Sequence, residues 1–453
     1  MRFPSRSLAL LVAGATTLSL VTAPSAGAQS SLSSTASSVL GSSGRVDNSD
    51  THPKEPGTPV EMPGGVIVRI MGDLLGRGLS DHVGFRSGDL GVMAPLGNGG
   101  DFALIFGDSF RGATLGAGEW MSPVGVVAQL ANGVVEILRP LNQGNRVNQL
   151  IPYERADGDI LTLIPSDVIN LDGTLYMQGM WNRGIGNVQY TEIWKSTDNG
   201  ATWDSVGTTS ADYMGGMGNL ISWERGADGY IYVVSSSFTR TDSVYLSRFR
   251  PEQIGDRTTW QLFDPTTGTW SDHGTPILST GVKAGEMNLR YIDGHWVLVM
   301  FNAQTLQIEV RASPELARDW NDVPAAVVAK NGPWRTTQSP ANFSQLYGGY
   351  IVPGSTLAKM DIVISQWNTS TNARYNATQF NVTGLDVFFG LTEAPTADNS
   401  DVEVTEVPAA DAGSLSPLHI ALISVLGLLG LGALVASLFP AQVADLVSRF
   451  SPF

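Results

Sequence analysis

The chain has 453 residues, a formal net charge of −15 and no cysteine. The acidic balance argues against nucleic acid as a partner, whose phosphates demand a basic face. Without cysteine there is no disulfide, no thiolate nucleophile and no cysteine metal site, so packing alone must hold the fold.

Arg2 and Arg6 precede an apolar stretch, Leu8 to Val21, that ends in Ala26-Gly27-Ala28. This is the pattern of a secretory signal peptide over residues 1–28, from which the folded part of the chain is expected outside the cytoplasm. Residues 29–62 are rich in Ser, Thr, Pro and Gly and poor in large apolar side chains, and are expected to be a disordered linker.

Residues 63–392 read as one large all-β domain. Helical periodicity is nearly absent, and short β-rich runs alternate with Gly, Asp and Asn turns. Apolar hairpins turn at Asn98-Gly99, Asp172-Gly173, Asp228-Gly229 and Asp293-Gly294, and a fifth passes through Leu357-Ala358-Lys359. Successive turns are separated by 74, 56, 65 and about 65 residues, a near-regular period that suggests radial repetition. The expected fold is a five-bladed β-propeller, with Asn132-Gly133 as the outer turn of the first blade. In the first hairpin both faces are apolar, as a blade packed between two neighbours requires. Ser196-Thr197-Asp198-Asn199-Gly200-Ala201-Thr202-Trp203 matches the Asp-box turn common on outer strands of sialidase-like propellers, a structural element.

Beyond the domain, residues 393–416 form an acidic linker. Residues 417–440 contain an apolar run, Leu418 to Phe439, interrupted only by His419 and two serines and long enough to cross a hydrocarbon core of ~30 Å. The expectation is a membrane anchor with the domain outside and residues 441–453 as a short cytoplasmic tail.

The first hairpin carries the chemistry. With Asn98-Gly99 as the central residues of a type I′ turn, residue i faces residue 197 − i, and Asp89 lies opposite Asp108. Directly opposed side chains have Cβ atoms roughly 4.5–5.5 Å apart, and like charges there destabilise a sheet. Two close carboxylates do not ionise together easily, so one holds a proton near neutral pH. That is what a glycosidase needs: an acid for the leaving oxygen and a carboxylate that activates water or attacks carbon. Asp108 is expected as the acid and Asp89 as the base. Gly107-Asp108-Ser109 also looks like the nucleophile block of Gly-Asp-Ser hydrolases, but no histidine follows an aspartate at the spacing those enzymes use.

The second strand of each blade should end at the same mouth. Those ends carry Trp181-Asn182, Phe301-Asn302 and Trp367-Asn368, aromatic–amide steps suited to stacking and hydrogen bonding a sugar. Arg240, Glu286 and Arg290 are placed to reach the same bowl. No metal motif is present, and a monomer without cofactor is expected. Two other readings stand beside the hydrolase: a non-catalytic glycan-binding or surface interaction propeller, and a related furanosidase acting on fructan or L-arabinan.

Five stretches together carry a resemblance: Gly88-Asp89-Leu90-Gly91, Phe106-Gly107-Asp108-Ser109-Phe110, Met287-Asn288-Leu289-Arg290-Tyr291, Tyr347-Gly348-Gly349-Tyr350-Ile351 and Ser365-Gln366-Trp367-Asn368. Through them the chain resembles glycoside hydrolase family 183, the endo-D-arabinanases. The resemblance implies a five-bladed propeller, a D-arabinofuranan substrate such as arabinogalactan or lipoarabinomannan, and two catalytic aspartates falling on Asp89 and Asp108. Trp120 and Tyr347 join the expected substrate contacts.

Overall fold

The computed structural model describes residues 56–97, 99–155 and 158–392. Its first strands are β1 (Val60–Met62), β2 (Val66–Asp73), β3 (Ser87–Pro95), β4 (Asp101–Phe110), β5 (Trp120–Met121), β6 (Val124–Ala131) and β7 (Val134–Pro140). There follow β8 (Leu161–Leu171), β9 (Thr174–Arg183), β10 (Val188–Ser196), β11 (Asp204–Ser210), β12 (Leu220–Arg225), β13 (Ile231–Ser236), β14 (Tyr245–Phe249), β15 (Gln261–Asp264) and β16 (Thr269–Ser271). The last are β17 (Ala284–Ile292), β18 (His295–Asn302), β19 (Gln307–Ser313), β20 (Ala326–Lys330), β21 (Leu346–Ile351), β22 (Lys359–Trp367) and β23 (Tyr375–Thr383).

These strands form five antiparallel sheets. Four are sequential: β3-β4-β6-β7 with β5 added to β4, β8 to β11, β12 to β16, and β17 to β20. The fifth runs β21-β22-β23-β2-β1, so the two ends of the domain share one blade. The innermost strands β3, β8, β12, β17 and β21 pack in a closed ring. The fold is a five-bladed β-propeller. β1 falls inside the stretch expected to be linker, because Val60–Met62 pairs with Val66–Val68 and the domain begins before residue 63. The expected signal peptide, the acidic linker 393–416, the span 417–440 and the tail 441–453 lie outside the described residues.

Local turn chemistry explains most of the hairpins. Asn132-Gly133, Asp172-Gly173 and Asp293-Gly294 all adopt paired positive φ values, 53° and 80°, 54° and 90°, 51° and 77°. This is the I′ geometry whose twist matches the strands. At Asp228-Gly229 only the glycine has positive φ, because the loop is wider and closes through Gly226 N–H on the Tyr230 carbonyl. In the Asp box, Asp198 accepts from the Ser196 hydroxyl, the Thr202 amide and the Thr202 hydroxyl, and the Trp203 indole closes the turn on the Gly200 carbonyl.

Two buried ionic networks hold the ring. At the closing blade Arg374 grips both carboxylate oxygens of Asp73 on β2, and Thr378 and Asn376 also donate to that carboxylate. At the axis Asp167 on β8 accepts both terminal nitrogens of Arg290 at 3.0 Å, the Trp223 amide and the Ser222 hydroxyl. Arg290 donates onward to the Met93 carbonyl, and Asn288 accepts from the Ile351 amide. One network thus ties together all five inner strands. A buried charge is tolerable only when it is saturated in this way.

Candidate active site

The inner hairpin of the first blade keeps the expected pairing over its outer half, from Pro95↔Phe102 to Val92↔Ile105, and regains it at Gly88↔Ser109. Between these lies a bulge. Leu90 pairs with Phe106, Leu90 and Gly91 take φ of 62° and 140°, and the Leu90 amide donates to the Ser365 hydroxyl of the last blade. Asp89 therefore faces Gly107 and Asp108 within an irregular step, and the direct one-to-one opposition expected from the turn is not made. Bulges of this kind re-aim a side chain. Gly107 is part of the device: a Cβ there would lie 2.7 Å from Asp89 Oδ1, so only glycine leaves room for the carboxylate. Apart from Asp101 beside the turn, Asp89 and Asp108 are the partly exposed positions of β3 and β4 among buried neighbours, except for Pro95 at the strand end.

The two carboxylates have different company. Asp108 accepts from the Trp120 indole N–H at 2.8 Å. The guanidinium of Arg155 lies 3.2 Å above the Trp120 ring and is itself fixed by the Leu161 carbonyl and the Thr162 hydroxyl. Asp89 accepts from the Tyr347 hydroxyl at 2.8 Å. Burial pushes the Asp89 carboxyl up to about 7, the charge of Asp108 adds to the push, and the Tyr347 and Tyr375 hydroxyls oppose it. Burial raises Asp108 as well, but there the Trp120 indole and the positive charge of Arg155 draw it back toward ionisation. Both carboxyls are thus raised, and Asp108 is the one with a guanidinium beside it. Turn geometry does not reveal which aspartate has a guanidinium nearby.

Residues from several blades gather around the pair. Trp120, Tyr153, Trp181 and Tyr190 form a chain of rings with centroids 6.2, 4.8 and 5.9 Å apart. Across the bowl, Arg240 pairs with Glu286 on β17 and lies 5.1 Å from the Tyr347 ring centre. Asp89, Asp108, Trp120, Arg240, Glu286 and Tyr347 are therefore brought together as expected.

The other expected site residues have different surroundings. Arg290 sits in the axial network with Asp167 and does not join the bowl. Asn182 is buried and donates to the Met180 carbonyl. Asn302 bonds the Gly281 carbonyl, Glu309 and two loop amides, and Asn368 accepts from the Ser370 and Thr371 amides. These amides cap strand ends, which is the physical reason the aromatic–amide step recurs. Trp181 and Trp367 are largely buried, with their indole N–H groups on Glu192 and Asn372. Conversely, Tyr153, Arg155 and Tyr375 were not anticipated. Their segments carry no motif, and only the tertiary fold brings them to the aspartates.

Known proteins agree with this architecture. A relative from Mycolicibacterium smegmatis, an uncharacterized 35.9 kDa protein in the asd 3′ region, is 28% identical over 290 residues, covering 58% of this chain and 83% of its own. A crystal structure from Bacteroides ovatus, described as a "putative hydrolase", overlaps with a TM-score of 0.53 at 13% identity, covering 77% of this chain and 97% of that one. That likeness concerns the fold. The family model for DUF4185, a domain of unknown function, matches residues 77–381, which hold both aspartates and all the residues gathered around them, and the chain belongs to that family.

Proposed function

We propose that this protein is a glycoside hydrolase of the family 183 type that cleaves D-arabinofuranosyl linkages in cell-wall arabinan. The observation that carries the reading is the pair of partly exposed aspartates on adjacent strands of the first blade, Asp89 held by the Tyr347 hydroxyl and Asp108 by the Trp120 indole. In this mechanism Asp89 protonates the leaving glycosidic oxygen, and Asp108 activates water or attacks the anomeric carbon. Trp120 holds Asp108 in place through its indole N–H, and Tyr347 does the same for Asp89. Tyr190, the exposed end of the aromatic chain that starts at Trp120, offers a face on which a sugar ring stacks. The signal-peptide pattern and the apolar run at 418–439 support an exported enzyme tethered to the membrane, with the propeller facing the wall.

The test is incubation of residues 56–392 with purified arabinogalactan, followed by product analysis with anomers resolved by NMR. Oligoarabinosides should be released by the native domain and not by Asp89→Asn or Asp108→Asn, while both variants retain glycan binding. Binding without turnover in the native domain would instead identify a glycan-binding propeller. Turnover of fructan or L-arabinan alone would identify a different furanosidase.

A further inference from the structure

Among the described residues four arginine–carboxylate pairs have a buried carboxylate: Arg374–Asp73, Arg290–Asp167, Arg311–Glu309 and Arg240–Glu286. In the first three both carboxylate oxygens are engaged. Asp73 is held by Arg374, Thr378 and Asn376, Asp167 by Arg290, Ser222 and Trp223, and Glu309 by Arg311, Asn302 and Thr305. Glu286 differs. Arg240 takes Oε1, while Oε2 is buried without a protein partner. Buried carboxylate oxygens are almost always satisfied, so an exception asks for an explanation. A pair serving only as a staple would be closed, like the other three.

We infer that Glu286 and Arg240 form a hydroxyl clamp for the sugar ring bound between Asp89 and Asp108. Glu286 Oε2 accepts from one ring hydroxyl, and Arg240 donates to its neighbour. The proposal rests on the glycosidase reading and deepens it, assigning the recognised feature as a pair of adjacent free hydroxyls. The position suits this role, because the Arg240 guanidinium lies 5.1 Å from the ring centre of Tyr347, whose hydroxyl donates to Asp89. It also lies 5.4 Å from the Phe301 ring, so the side chain is sandwiched rather than free. One third of the Arg240 side chain remains exposed, leaving N–H donors within reach of a ligand. Its backbone is in the left-handed region at φ 57°, a conformation that non-glycine residues keep mainly where the surroundings impose it, often at ligand clamps. The charge of Glu286 is also felt at Asp89 and Tyr347.

The experiment compares kcat/KM on a D-arabinofuranosyl hexasaccharide with its 2-deoxy and 3-deoxy counterparts. The native domain should prefer the parent sugar by ~10–100-fold, the worth of a hydrogen bond to a charged group. Glu286→Gln should slow the parent by a similar factor while leaving one deoxy counterpart nearly unaffected, so that discrimination collapses at that hydroxyl. Arg240→Gln should collapse it at the adjacent one, and it decides the matter if Glu286→Gln fails to fold. Unchanged discrimination in a folded variant overturns the clamp while leaving the hydrolase intact. Should the native domain cleave no D-arabinan, the D-arabinanase reading falls. Calorimetric binding of the same three sugars to native and variant domains then tests the clamp separately: equal loss on all three sugars, or none, refutes it.

Discussion

Replacing Tyr347 with phenylalanine separates the roles of the two aspartates. The hydroxyl donates to Asp89 Oδ2 at 2.8 Å, and the ring is buried, so the substitution removes a hydrogen bond without changing shape. Hydrogen bonds to charged groups are worth about 1.5–3 kcal/mol, and one pKa unit corresponds to about 1.4 kcal/mol, so losing this one raises Asp89 by roughly 1–2 units. Asp89 starts at about 7. As the acid it must be protonated, so activity in the native domain falls as pH rises through that value. In Tyr347→Phe the alkaline limb of kcat/KM should move up, to about pH 8–9 by the same arithmetic. Were Asp89 the base, it would have to be ionised, and the same substitution would move the acid limb up and narrow the active range. The assay is a pH–rate profile on a D-arabinofuranosyl oligosaccharide, paired with ¹³C NMR titration of the aspartate carboxyls. An alkaline limb that stays put, or an acid limb that rises, refutes the assignment.

Other expectations follow from the same contacts. A carboxyl raised above its unfolded value binds a proton in the native state that the unfolded chain has released, so stability falls as pH climbs from about 4 to 7. Asp89→Asn should therefore raise the denaturation midpoint at pH 8 by the equivalent of roughly 2–4 kcal/mol, with little change at pH 4; no gain at pH 8 would contradict the raised pKa. Gly107→Ala places a Cβ 2.7 Å from Asp89 Oδ1, and should cost on the order of 100-fold in kcat with a stability loss of only ~1–3 kcal/mol, measured by kinetics alongside chemical denaturation. Asp73→Asn breaks the saturated pair with Arg374 that ties β2 to the residue before β23, and urea unfolding should show a loss of about 3–5 kcal/mol. A loss below 1 kcal/mol would mean that ring closure does not depend on it.

How much was legible in the sequence follows from the range of the interactions involved. Turns such as Asp172-Gly173 and Asp293-Gly294 are decided by the φ preferences of adjacent residues, so the hairpins, their period and the five blades could be read directly. The two aspartates belong to one hairpin, and their proximity was likewise a local consequence, although the bulge at Leu90-Gly91 altered how they meet. The aromatic–amide steps misled for a local reason too: asparagine at a strand end bonds its own loop, whether or not a ligand lies beyond it.

What only the tertiary structure decided is everything that depends on partners far apart in the chain. Tyr347 reaches Asp89 across 258 residues, and β2 completes the blade begun by β21. The placement of Arg155 over Trp120, and of Glu286 beside Arg240, arises from packing between blades, which no local pattern encodes. A carboxylate's affinity for its proton is set by burial and by the charges that surround it in three dimensions. The sequence by itself therefore determined that two aspartates meet in one hairpin, and the assembled ring determined the different company each of them keeps.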